Sequence, residues 1–154
     1  SARSYRRRTR RAWSASMTAL ASPAYVAEQI ADELTLARLM GYRKLEPPSA
    51  GALNPTIWGI AADFKPDWPG ADGRAWLPKW RRSWAAVGEL IGVCKIGVSP
   101  GDVSASASYV DSEGALIHFR ELHVYHPTAD DAIRAAMCKA AIAYLTAQSK
   151  ERGA

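Results

Sequence analysis

Imidazole is the group in this chain best suited to chemistry, and the three histidines, His118, His123 and His126, lie close together. Such rings move protons near neutral pH and ligate transition metals. On an extended strand His118 and His123 differ in parity and face opposite sides. The apolar residues around them change parity as well: Ile117 and Phe119 share one, Leu122 and Val124 the other. A bulge at Arg120-Glu121 would explain the change and would bring His118 and His123 onto one polar face. No third ligand follows at metal-site spacing, so hydrogen-bonded or solvated histidines are the favoured reading and no metal is expected. Cys94 and Cys138 sit among apolar residues at helical spacing. They read as two reduced, buried thiols more readily than as half of a Cys–His nucleophile pair. A disulfide between them would need an oxidising compartment. Ser104, Ser106 and Ser108 lack the Gly-x-Ser-x-Gly context of a nucleophile. Ser99-Pro-Gly-Asp102 is a turn and not a phosphate cradle. Asp67 and Asp72 belong to a turn cluster without calcium-loop spacing. No catalytic residue and no cofactor are expected, and an enzyme is disfavoured.

Two other groups suit binding. Trp76, Trp80 and Trp84 recur every four residues, with Arg81 and Arg82 among them. The rings either cover a sheet and close a small core or, on the sharper reading, edge an aromatic pocket that stacks a ligand or partner. The second group is Arg3, Arg6, Arg7, Arg8, Arg10 and Arg11 in a stretch, 1–16, that has no acid. Removing these six from the 20 basic residues leaves fourteen against 15 acidic ones, so the net charge of +5 becomes about −1 for residues 17–154. The excess positive charge is therefore all in the tail, which reads as disordered. Three uses stay open for it: an arm that neutralises phosphates of nucleic acid, a targeting segment around Thr9-Arg10-Arg11-Ala12-Trp13, or sequence upstream of a natural start at Met17.

These groups need elements to hold them. The 154 residues fit one domain with one core, and no run is long and apolar enough to span a membrane. Ser22-Pro23 opens a helix near 22–40 with Ser as cap and Pro in its first turn, and Gly41 stops it. Val26, Ile30, Leu34 and Met40, with Ala27, Ala31 and Ala37 between them, form its expected core face, with Glu28, Gln29, Asp32, Glu33 and Arg38 pointing mostly elsewhere. Residues 43–79 concentrate proline, glycine and Trp58, Trp68 and Trp76 and read as an irregular insert, with a short strand inside 55–64. A helix near 83–94 begins at a Ser83 cap and faces inward through Val87, Leu90, Ile91 and Cys94. Turns at 99–102 and 111–114 then separate three strands over 95–125, the third running to Tyr125. Short connections make them an antiparallel meander. A last helix near 129–148 opens with Thr128 and Asp131 as a capping box. The fold class predicted is α+β in the order α-α-β-β-β-α, with Leu90, Ile91, Ile96, Ile133, Met137 and Tyr144 in the core.

Leu39-Met40-Gly41-Tyr42, Pro78-Lys79-Trp80, Ala85-Ala86 and the run Ala132 to Ala141 together resemble the bacteriophage "ABA sandwich" domain proteins, and more distantly the NinX-type proteins of lambdoid phages. The resemblance spans roughly Ala21 to Leu145. It departs from the family where Arg81-Arg82-Ser83 replaces a Ser-x-Asp cap. It implies a small phage protein with helices about a small sheet, and no established activity. The order helix, three strands, helix is also that of double-stranded-RNA-binding domains, whose last helix grips phosphate with a basic start. Here that start is Asp130-Asp131, which repels phosphate, so RNA binding there is rejected. The expectation is a non-enzymatic phage accessory protein that binds a host protein or small ligand in the host cytoplasm, with nucleic-acid binding through residues 1–16 as the alternative. A homo-oligomer is left open, and no membrane partner is expected.

Overall fold

Helix α1 (Pro23–Leu39) begins where the Ser22 hydroxyl accepts a hydrogen bond from the Tyr25 amide, with Pro23 in the first turn. It ends at Gly41, whose φ of 87° suits glycine. There the Gly41 amide donates to Arg38 O and the Tyr42 amide to Ala37 O, closing the last carbonyls in a Schellman motif. Gly41→Ala is expected to lower stability by about 1–2 kcal/mol, because an L side chain is disfavoured in that conformation and its Cβ would lie 2.9 Å from Ala62 Cβ. A urea titration with an unchanged slope measures it. The computed structural model describes residues 22–49, 51–52, 54–68 and 70–153. The tail 1–16, with its six arginines, lies outside the described residues.

The fold is α+β, in the order α-β-β-β-α-β-β-β-α, where the sequence predicted α-α-β-β-β-α. The difference is in 43–79. That segment forms an antiparallel sheet from β1 (Arg43–Glu46), β2 (Trp58–Ile60) and β3 (Arg74–Trp76), ordered β1-β2-β3. Three-residue strands are too short for alternation to show in sequence. Helix α2 (Trp84–Cys94) starts on Ser83, which caps the Ala86 amide. The expected meander follows as β4 (Gly97–Pro100), β5 (Ser104–Val110) and β6 (Leu116–Leu122), all antiparallel. β5 buries Ala105, Ala107 and Tyr109 and turns its serines the other way. The β5–β6 register runs unbroken from Ser104 opposite Leu122 to Val110 opposite Leu116, so there is no bulge at Arg120-Glu121. The parity change arises because Leu122, still in register, is an apolar residue on the exposed face of the strand, and the strand then gives way to a 3-10 helix at His123–Tyr125.

Helix α3 (Ala129–Gly153) is the spine, packed on α1, α2, β5 and β6. Its inner face is alanine-rich: Ala132, Ala135, Ala136, Ala140 and Ala141 are buried, the last three in one cluster with Ala107 and Leu36. Small side chains there let helix and sheet approach closely. The core joins both sheets: Ile57 and Leu77 from the first, Ala107 and Tyr109 from the second, and Val87, Leu90 and Met137 from the helices. Leu90, Ile96 and Met137 are buried as predicted, and Ile133 and Tyr144 are half-buried against the core. Ile91 is not in it; it is 43% exposed, because α2 seats Val87, Leu90 and Cys94 inward and Ile91 lies beyond that arc.

Candidate functional site

Trp76, Trp80, Arg81, Arg82 and Trp84 do not form one surface patch. Trp76 lies on edge strand β3 and is 69% exposed. Trp80, in the turn before α2, is 1% exposed and packs edge-on against Tyr42. Arg81 is fully buried, and Trp84, at the first position of α2, is 45% exposed. Helical spacing fails because Pro78 and the turn at 79–82 break the phase between the three rings.

The two arginines hold α1 to the start of α2 through charge. Arg81 Nη1 pairs with Asp32 and lies 3.5 Å from Glu28, while its Nη2 donates to the Tyr25 hydroxyl at 3.4 Å. Burial works to lower the Arg81 pKa, but Asp32 and Tyr25 outweigh it and the net shift is upward. Glu33, with no exposed side chain, receives the Arg82 guanidinium through Nη2 at 2.6 Å and Nε at 3.1 Å, and the Arg81 amide at 3.1 Å. Burial pushes the Glu33 carboxyl up, and the Arg82 fork pulls against it. Arg82 Nη1 also donates to Pro55 O at 2.6 Å, tying in the segment before β2. Arg134 of α3 donates to Arg81 O at 3.1 Å and to Asp131 at 2.8 Å. Thr128 and Asp131 form the predicted capping exchange, 2.7 Å from hydroxyl to carboxylate and 3.1 Å from Asp131 amide to hydroxyl.

The predicted face of α1 is therefore corrected. Ala37 is buried and Ile30, Leu34 and Met40 pack half-buried against the core as expected, but Gln29 and Glu33, expected to point elsewhere, are buried beside Leu36. An apolar-stripe rule reads Gln29 and Glu33 as solvent-facing. Only the arginine pair at 81–82 signals that acids elsewhere have buried partners, and the sequence does not say which.

The histidines also separate. His118 is on the exposed face of β6 opposite Ser108. His123 Nδ1 lies 3.1 Å from Asp102 O. His126 Nε2 is 3.0 Å from Glu121 and its Nδ1 is 2.7 Å from the Tyr25 hydroxyl. A carboxylate only accepts, so Nε2–H donates to Glu121 and, in the neutral ring, Nδ1 accepts from Tyr25. The Tyr25–His126–Glu121 chain has the connectivity of a proton relay, but its phenol is no nucleophile: burial raises the Tyr25 pKa to about 12 against the pull of Arg81. Among the described residues, no group of three His, Cys, Asp or Glu side chains is arranged to hold a metal ion. Cys94 and Cys138 are free and buried, and burial raises both thiols, Cys94 to about 11. Neither is an activated nucleophile.

Two features face outward. One is the outer side of the first sheet, where Trp58 sits directly opposite Trp76, with ring centroids 5.4 Å apart at 70°. The Arg74 guanidinium lies 3.9 Å over the Trp58 ring and pairs with Glu46. Gly59 and Ala75, of the other parity, face the opposite side, and at Gly59 a Cβ would meet Leu77 and Leu45 within 2.9 Å. The other is a cleft between α1, residues 54–55 and the start of α3, into which Arg82 and Arg134 project.

The architecture is thus a two-sheet α+β fold with an outward aromatic face and a polar cleft. No family model, no curated protein and no solved structure matches the chain. Among the described residues no helix is long and apolar enough to cross a membrane.

Proposed function

We propose that this is a non-enzymatic binding protein whose partner is a protein held on the Trp58–Trp76 face. The observation that carries the reading is Trp76, a large ring left mostly exposed at the sheet edge beside Trp58 and Arg74. Exposed tryptophan and arginine at one place are the side chains that most often anchor protein interfaces. Arg74 is paired with Glu46, so the charge left on this face is the single positive one of Arg43. It therefore offers a phosphate backbone little attraction, which favours a protein over nucleic acid. The resemblance to phage ABA-sandwich proteins supplies the setting in the same proposal, an accessory protein acting on a host component in the host cytoplasm.

Trp76→Ala is expected to leave folding within about 0.5 kcal/mol, as exposed substitutions do. It should weaken a purified partner by roughly tenfold or more, the size of one interface hot spot. Proteins captured from bacterial lysate are identified by mass spectrometry and each is titrated against wild type and Trp76→Ala by calorimetry. Equal affinities for every captured protein would remove the face from function. The second reading rests on the six arginines in residues 1–16 beside a near-neutral remainder. It predicts salt-sensitive DNA or RNA shifts by the full chain that vanish in a chain starting at Met17. Turnover of a nucleotide or peptide substrate, abolished by one polar substitution, would overturn both.

A further inference from the structure

The cleft beside Arg82 has a volume of about 370 Å³ and opens to solvent. Gln29, in the second turn of α1, lines it and is only 5% exposed. Among the described residues its amide has no hydrogen-bond partner, and it is not one of the sealed, unpaired polar atoms of the interior. The amide therefore opens onto the cleft. An amide held there presents one donor side and one acceptor side to whatever enters the cleft. Around Gln29, the other polar groups have one free end each. Asn54 Oδ1 already accepts from Lys79 at 3.0 Å and from Arg82 at 3.3 Å, which leaves its NH₂ as a donor. Arg134 spends Nε on Arg81 O and Nη2 on Asp131, which leaves Nη1 without a partner among the described residues. Asp130 supplies an acceptor, 3.4 Å from the Trp84 indole nitrogen.

The charges decide what fits. Arg82 is matched by Glu33 and Arg134 by Asp131, and Lys79, held at Asn54, offsets Asp130, so the cleft is close to neutral. An anion would find only Lys79, already held by Asn54, and would meet Asp130 in the lining. What complements Gln29 is a planar group that offers a donor and an acceptor side by side, since a carboxamide pairs with such an edge through two hydrogen bonds. We infer that the cleft is a binding site for an uncharged ligand that presents a planar amide edge to Gln29, with Asn54 and Arg134 donating to its carbonyl oxygens. A peptide-type amide and the lactam edge of a pyrimidine nucleoside share that chemistry. The site is separate from the tryptophan face, and either can fail without the other.

Titrating isotope-labelled full-length protein with N-acetylglycinamide, with uridine and with uridine monophosphate tests the assignment by NMR. The expected result is a saturable shift of the Gln29 side-chain amide signals with at least one uncharged probe. Whichever binds more tightly identifies the source, and the added phosphate should weaken uridine. Gln29→Met, similar in shape, should bind the preferred probe roughly tenfold less tightly, as expected for about 1.4 kcal/mol of lost pairing. Asn54→Ala, an exposed change that leaves the fold intact, should weaken it several-fold. Saturation with no movement of the Gln29 signals, equal binding by both variants, or tighter binding of uridine monophosphate than of uridine would each overturn the assignment.

Discussion

Arg81→Met is expected to destabilise the protein by about 3 kcal/mol, the low end of the range for removing one partner of a buried ion pair. The low end applies because Asp32, the carboxylate left behind, keeps 18% of its side-chain surface in water. The loss is larger than for a surface pair because Arg81 is fully buried and ties its own turn to two helices at once. Its guanidinium meets Asp32 and Tyr25 of α1, its amide donates to Glu33, and its carbonyl accepts from Arg134 of α3. Methionine preserves the two backbone bonds and much of the volume, so the variant isolates the charge. Adding Asp32→Asn removes the stranded carboxylate and should restore at least about 1 kcal/mol, a coupling of the size found for contacting residues. The cost should also persist in high salt, since buried pairs are screened little, whereas any contribution of the exposed Arg74–Glu46 pair should fade. Urea unfolding of the single and double variants at two salt concentrations measures all three. A double variant no more stable than Arg81→Met would mean that Arg81 acts by packing alone.

The same residues show how far the sequence could be read. Elements that announce themselves by capping and period were legible: Ser22-Pro23, Ser83 and the Thr128–Asp131 exchange start helices where the residue types predict. The meander was legible because Ser104 to Val110 alternates over a full seven-residue strand. Of the first sheet only β2 was legible, as the short strand expected inside 55–64; β1 and β3 were not, because they are only four and three residues long and β3 pairs with β2 across a proline- and glycine-rich stretch. The candidate residues divided for a related reason. Trp76, Trp80 and Trp84 share a spacing, but burial is set by backbone direction, and the backbone passes from strand to turn to helix within those nine positions. Gln29 was invisible as a site residue because its meaning depends on the phase of α1, which charged partners from the 81–82 turn rotate away from the apolar stripe. Sequence pattern reads apolar faces well. It does not read which buried polar groups meet.

Trp80→Ala should be the most damaging single truncation in the core, at about 3–5 kcal/mol, the range for deleting a buried aromatic ring. For a chain of this length that corresponds to a melting temperature lower by about 6–20 °C. Trp80 sits where Tyr42, just past the end of α1, meets the turn leading into α2, and it belongs to the cluster that joins Ile57 and Leu77 of the first sheet to Leu90 and Met137 of the helices. Its removal therefore leaves a cavity between the sheet and the helices, where the neighbouring turn is already pinned by Arg81 and Arg82 and has little freedom to collapse. Trp80→Phe should behave differently. The indole N–H is buried without a hydrogen-bond partner among the described residues, so phenylalanine removes a costly unpaired donor while losing only part of the ring. The two effects oppose each other, and a loss below about 1.5 kcal/mol is expected, in line with well-tolerated core exchanges. Calorimetry of wild type and both variants separates the contributions. A phenylalanine variant as unstable as the alanine one would show that Trp80 Nε1 has a partner, and that the turn is held by that bond as well as by the ring.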